Sequence, residues 1–239
     1  MARVIKDNNP PWLKKKETSR KATGNKAFKA IFRIYCEGEV TEIQYFESFP
    51  INTTEWKVET IKGFGHQRTK LVETVIETLK KDQVLGLGLE NKRFSQNYDK
   101  IRQIWVVFDF DIDYENGKNV AEDFNNAIAL ARKYGLQVAY SNDSFELWFV
   151  LHFIALQAKW TRKEYYAFLS EKFETDYEKV GKSKDFAATL YTLHKQNQEF
   201  AIKNAKRLLQ ANLSLPPSQQ NPCTTVFQLV EELNKSLKP

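Results

Sequence analysis

Residues 101–113 read I-R-Q-I-W-V-V-F-D-F-D-I-D, and this stretch decides the fold. Ile101–Phe108 carries the strongest strand signal in the chain. A strand with one wet face alternates apolar and polar residues, but Ile104–Phe108 is apolar without interruption. Such a run predicts a central strand covered on both faces, as in a parallel sheet. It ends in acids, Asp109, Asp111 and Asp113.

Working outward, the same unit recurs. Upstream, Phe32–Cys36 (F-R-I-Y-C) reads as a short strand ending in Glu37-Gly38. Thr41-Glu42-Ile43-Gln44 then predicts a capping box, with Glu42 in the first helical turn and the helix stopping at Pro50. Trp56–Ile61 alternates as a second strand, and Gln67–Lys81 is amphipathic, with Val72, Val75, Ile76 and Leu79 on one stripe. Leu85–Tyr98, with Gly86 and Gly88, reads as a loop. Downstream, Val120–Tyr134 reads as a helix with Gly135 as its C-cap. Leu136–Tyr140 is a fourth strand. Phe145–Leu156 reads as an apolar helix capped by Asn142, Asp143 or Ser144. Strand and helix thus alternate, with crossovers long enough for parallel pairing, which predicts an α/β sheet flanked by helices. Beyond residue 157 strand signals cease. Segments 161–172, 184–210 and 224–237 read as helices, the last opening on Thr225-Val226-Phe227-Gln228 as a second capping box. The expected organisation is a leader over 1–29, an α/β core over 30–157 and an appended helical lobe over 158–239.

Composition narrows the function classes. Hydrophobic residues are 42% and charged residues 28% of the 239, which excludes wholesale disorder. Two cysteines, Cys36 and Cys223, cannot build a disulfide framework, and no Cys/His set has zinc spacing. The longest apolar run, near Phe145–Phe153, is broken by Glu146 and His152, so no membrane span is expected. No apolar segment follows the basic N-terminus as in a secretory signal, and a cytoplasmic protein is expected. The formal net charge of +6 invites a nucleic-acid reading. Its location qualifies that reading. Residues 1–29, including Lys14-Lys15-Lys16, hold nine basic and two acidic residues, a net of +7. The remaining 210 residues sum to −1. The basic character belongs to an arm.

The body instead gathers acids at strand ends, where functional groups collect in parallel α/β sheets. One strand delivers Glu37 and Glu39, another Asp109 and Asp111. If those strands are neighbours, the carboxylates converge, and crowded like charges raise one another's pKa. A divalent cation resolves the conflict. Few, hard oxygen ligands suit Mg²⁺, with Mn²⁺ as a substitute, and phosphoryl transfer is the fitting chemistry. The competing reading is structural, because Asp after a strand is common in turns.

This constellation resembles the Toprim (topoisomerase–primase) fold, which pairs a Glu after its first strand with a D-x-D after a later one. More specifically, the chain resembles the RloB-like family. The resemblance rests on Cys36-Glu37-Gly38-Glu39-Val40-Thr41-Glu42 with Tyr45-Phe46, on Val107-Phe108-Asp109 with Asp111, and on Ser141-Asn142-Asp143-Ser144-Phe145-Glu146-Leu147-Trp148 continuing to Leu151-His152-Phe153. Ala201, Asn204-Ala205-Lys206 and Asn221-Pro222-Cys223-Thr224-Thr225-Val226 extend it. It departs from the family pattern at Asp143, where Pro is usual, and at Cys223, where a small hydroxyl is frequent. The resemblance implies a bacterial accessory protein of restriction-modification or phage-defence loci, with an ATPase partner and a Toprim-type nuclease activity on RNA or DNA. It implies Glu37 as general base or metal ligand, Asp109 and Asp111 as Mg²⁺ ligands, and Glu42 as a nearby acid.

Other residues carry two readings each. Glu146 is either a capping acid answering Asp143 or a further acid of the cluster. His152 shares a helix face with Trp148 and Phe145 and reads as a core histidine. His66 stands at a strand-to-helix turn where a phosphate could bind, although a solvated loop histidine is the simpler reading. His194 lies in a polar stretch. Arg68 and Lys70 flank a helix start and are candidates for phosphate-backbone contact, against a default of solvated charge. Lys195, Lys203, Lys206 and Arg207 form a similar basic stripe. Gly63-Phe64-Gly65 lacks the spacing of a phosphate loop, and no G-x-S-x-G is present.

Two functions follow from the sequence: a Mg²⁺-dependent nuclease, or a non-catalytic subunit that docks on an ATPase and binds nucleic acid through the basic arm. Under the second, deleting residues 1–29 abolishes nucleic-acid binding and flattens its salt dependence, measured by titration at several salt concentrations. Retained binding with an unaltered salt slope overturns it.

Overall fold

A computed structural model describes residues 30–65, 67–82, 101–111 and 120–237. Its centre is a five-stranded sheet in the order β2-β1-β3-β4-β5. The strands are β1 (Ala30–Cys36), β2 (Trp56–Lys62), β3 (Ile101–Asp109), β4 (Gln137–Asn142) and β5 (Cys223–Thr224). β1 pairs in parallel with β2 and β3, and β3 with β4, while β5 closes the edge antiparallel to β4. The apolar run of β3 has the expected cause. Trp105 and Val107 point into one hydrophobic cluster, and Ile104, Val106 and Phe108 into the other.

Two layers of helices supply those clusters. On one face, α2 (Arg68–Lys81) and α3 (Val120–Lys133) bury Leu71, Val72, Val75, Ile76 and Leu79 against Phe124, Ala127, Ile128 and Ala131. On the other lie α1 (Thr41–Glu47), α4 (Glu146–Val150) and the helices of the C-terminal region. These are α5 (Arg162–Phe173), α6 (Tyr177–Val180), α7 (Lys184–Ala187), α8 (Leu190–His194), α9 (Gln198–Asn212) and α10 (Val226–Asn234). Tyr45 of α1 anchors this layer. Its hydroxyl accepts from the Trp148 indole at 2.9 Å, and its ring meets Phe49, Phe145 and Phe149 edge-on. Buried aromatic bodies with a satisfied polar tip are a large source of packing energy. Phe32, Trp148, Tyr165, Tyr191 and Phe227 belong to the same cluster, so the sheet and the C-terminal helices bury one continuous core.

The structure corrects several expectations. Strand does not cease after residue 157, because Cys223–Thr224 pairs with Ser141–Asn142. Two residues carry no detectable alternation. Neither expected capping box forms. Helix α1 starts at Thr41 itself, whose hydroxyl donates to the Gly181 carbonyl at 3.3 Å, and Thr225 accepts from the Tyr140 amide at 2.9 Å. In both, a tertiary partner outcompetes the local one. The apolar helix is shorter than expected, Glu146–Val150, because Leu151–Phe153 continue as turns. The expected loop over 85–98 lies outside the described residues.

His194 is buried, which its polar neighbourhood in sequence concealed. Its ring stacks on Phe149 at 5.1 Å and meets His152 at 4.4 Å, centroid to centroid. His152 is the core histidine that its helix face implied, with Nδ1 2.8 Å from the Trp148 carbonyl. Burial pushes His152 down to about 4, and burial and His152 push His194 well below the usual range. The unfolded chain takes up both protons below about pH 6.5, and the folded chain refuses them. Their contribution to stability is therefore intact above pH 6.5 and erodes as pH falls toward 4. We expect the His194→Phe variant, which keeps a stacked ring, to lose less stability than wild type between pH 7 and 5. Urea unfolding at both pH values measures this; equal losses overturn it.

Candidate functional site

Parallel pairing of β1 with β3 puts Cys36 opposite Val107, so Glu37 leaves β1 level with the end of β3. The Glu37 amide donates to the Val107 carbonyl at 2.9 Å, continuing the ladder by one bond. The next bond is made by a side chain. The Asp109 amide donates to Glu37 Oε2 at 3.1 Å. The Asp109 carboxylate is aimed in turn by α4, since the Phe145 amide donates to Oδ2 at 3.0 Å. Each acid thus keeps one oxygen on a backbone amide.

The segment after β3 is clamped. Phe110 and Asp111 donate to the Ser141 and Asp143 carbonyls at 2.8 and 3.1 Å. Arg68 Nη2 donates to the Phe110 and Asp111 carbonyls, both at 3.0 Å. Asp111 has φ of +39°, a left-handed conformation that Asp tolerates better than most side chains. Its carboxylate then pairs with Arg162 Nη2 at 3.0 Å.

Gly38 shows why glycine follows the acid. A methyl group built there would overlap the Glu42 carboxylate, which folds back over the chain. Glu42 enters from α1 and Glu146 from α4, both buried. Glu37, Glu42, Asp109, Asp111 and Glu146 line one cavity of about 420 Å³, together with Gln67, Arg162, Tyr166 and Lys182. The strand-end acids Glu37, Glu39, Asp109 and Asp111 and the helix-start acids Glu42 and Glu146 are therefore in one place, while Asp113 lies outside the described residues. For Glu146 the structure favours the cluster over the capping role.

The electrostatics are those of crowded acids. Burial pushes Glu37 up to about 7 against the Asp109 amide and Arg68, with Asp111 adding to the rise. Burial, then Glu146 and Glu37, push Glu42 up to about 7. Asp109 is held well above the usual range by burial and by Glu42, Glu146 and Glu37. Burial works against the Arg162 charge, but Asp111, Asp109 and Glu146 hold it protonated.

The donor set is hard oxygen, which suits Mg²⁺ or Mn²⁺ better than a Cys/His site would. Among the described residues no group of three or more acids, histidines or cysteines is drawn to one point as a ready cage. That arrangement still suits Mg²⁺, which uses one or two carboxylates and keeps waters and phosphate oxygens as its other ligands.

Other expected residues lie elsewhere. Arg68 is buried behind the cavity and holds the Asp111 turn, so it is not a solvated charge. Lys70 is exposed and 3.6 Å from Glu73 on the outer face of α2. Lys14, Lys15, Lys16 and His66 fall outside the described residues. The sequence reading did not single out Arg162, Tyr166 or Lys182. They sit more than 50 residues beyond Asp109, on helices and turns that no local signal ties to the acids.

Residues 32–233 match the family model described as RloB-like protein. No curated protein and no solved structure matches the chain. Among the described residues, no helix is long and apolar enough to cross a membrane.

Crowding of this kind costs stability in the metal-free protein. The unfolded Glu42 ionises from about pH 4.5 upward, and the folded one retains its proton to about 7, so the cost accrues as pH rises through that window. We expect Glu42→Gln to stabilise the metal-free chain at pH 8 by about 1–3 kcal/mol, with the gain vanishing toward pH 4.5. Chemical denaturation in EDTA tests this; a destabilised variant at pH 8 contradicts it.

Proposed function

This chain belongs to the RloB-like family, and from that premise we propose that it is a Mg²⁺-dependent phosphodiesterase that cuts RNA or DNA, with a Toprim-like site. The observation that carries the proposal is the bond from the Asp109 amide to Glu37 Oε2, which fixes two strand-end acids side by side inside the acidic cavity. A purely structural turn would not crowd buried carboxylates at a cost to folding.

When bound, the divalent cation supplies Lewis-acid stabilisation of the phosphoryl oxygens and of the attacking or leaving oxygen. The residues do the rest. Asp109 and Asp111 would hold the cation, and the backbone amides on one oxygen each of Glu37 and Asp109 keep both carboxylates aimed. Glu37, with its second oxygen unspent, would take the proton of the attacking water at the cavity wall. Asp111 completes the acid set from its clamped turn. Glu42 and Glu146 line the same cavity from α1 and α4. Lys182 and the basic arm over 1–29 draw the polyanion toward it. The setting we assign is anti-phage defence alongside an ATPase, on the family resemblance.

Glu37→Gln and Asp109→Asn should each lower Mn²⁺-dependent cleavage by roughly 100-fold or more. The assay is cleavage of tRNA, single-stranded DNA and duplex DNA by the purified full chain, with EDTA abolishing it. Wild-type rates in either variant overturn the assignment.

A further inference from the structure

Resting on the metal reading, we propose that Arg162 is a substrate-phosphate anchor that Asp111 holds in reserve while the site is metal-free. Three observations carry it. First, Arg162 reaches the acidic cavity from α5, outside the strands and helices that supply the acids. Second, its bonding is incomplete. Nη2 is spent on Asp111, while Nε is buried with no hydrogen-bond partner among the described residues. Third, the pair with Asp111 is a loose one, with side chains 34% and 43% exposed. Ion pairs that open to solvent are weak and readily exchanged.

A guanidinium with an unspent donor is matched to the oxygens of a phosphate once the pair with Asp111 opens, and better matched than a lysine. Its backbone is fixed for the purpose. The Thr161 amide donates to Glu164 at 2.6 Å, which sets the entry of α5, whose Arg162 lines the cavity. Tyr166, four residues on, lies on the same helix face and lines the same cavity. The exchange also balances charge. Without a cation, Arg162 neutralises Asp111. With one, Asp111 has a second positive partner, and Arg162 is released to the phosphate that arrives beside it. The site then favours substrate and metal together over either alone, which is positive coupling between two ligands.

The test uses the full chain as wild type, Arg162→Gln and Arg162→Lys, each checked for an unchanged thermal midpoint. One arm measures Mn²⁺ affinity by electron paramagnetic resonance. The other measures affinity for a fluorescein-labelled single-stranded oligonucleotide in Ca²⁺ by anisotropy. We expect Arg162→Gln to bind Mn²⁺ several-fold more tightly, because the competing cation on Asp111 is gone. We expect it to bind the oligonucleotide roughly tenfold more weakly, as for loss of one charged hydrogen bond, with Arg162→Lys intermediate. Oligonucleotide affinity equal to wild type overturns the anchor role. Mn²⁺ affinity equal to wild type overturns the exchange. Wild type that binds no Mn²⁺ overturns the metal reading itself, which separates the two failures.

Discussion

The contact between the Glu37 carboxylate and the Asp109 amide is the constraint around which the site is built. It exists because β1 and β3 are parallel neighbours in register, so one side chain can finish the ladder that the backbone leaves open. The same pairing forces acids together at the carboxyl ends of the strands. From there each further feature is a response to buried negative charge. Backbone amides of Asp109 and Phe145 take one oxygen from each acid. Gly38 leaves room for Glu42. Arginines arrive from two other elements, Arg68 on the carbonyls of the Asp111 turn and Arg162 on its carboxylate. These groups reduce the cost of crowding without removing it, as the raised Glu37, Glu42 and Asp109 show.

The C-terminal helices contribute to the core and to the cavity at once. Tyr165 on α5 packs into the cluster beneath β1 and β3, and Arg162, three residues earlier on the same helix, stands at the cavity wall. A helix face that is anchored on one side and chemically active on the other places a side chain more firmly than a loop would. The edge strand β5 has a similar double use. Its pairing with Ser141–Asn142 fixes the end of β4, and Ser141 and Asp143 in turn hold Phe110 and Asp111.

How much of this was legible depended on whether the signal was local. The two-faced burial of β3 was readable because, in a strand, apolar residues at successive positions point to both faces and require both to be covered. Glu37, Asp109 and Asp111 were readable as site candidates because strand-end acids follow directly from that assignment. Glu146 was ambiguous, since a helix-start acid looks the same whether it caps or joins a cluster. The capping boxes at Thr41 and Thr225 failed because each hydroxyl found a partner far along the chain. His194 and Arg162 were missed for a common reason: burial and cavity placement are properties of packing between segments, and polar neighbours in sequence say nothing of them.

The sequence by itself therefore determined the α/β class, the central strand, the acids at strand ends and the family to which residues 32–233 belong. Patterns of period two and 3.6, and short motifs, are written along the chain. Only the tertiary structure decided that these acids share one cavity, that Asp111 faces Arg162, and that Arg68 serves the backbone. Those outcomes turn on strand order, register and the docking of the C-terminal helices. They are set by contacts between residues tens of positions apart, for which no local pattern exists.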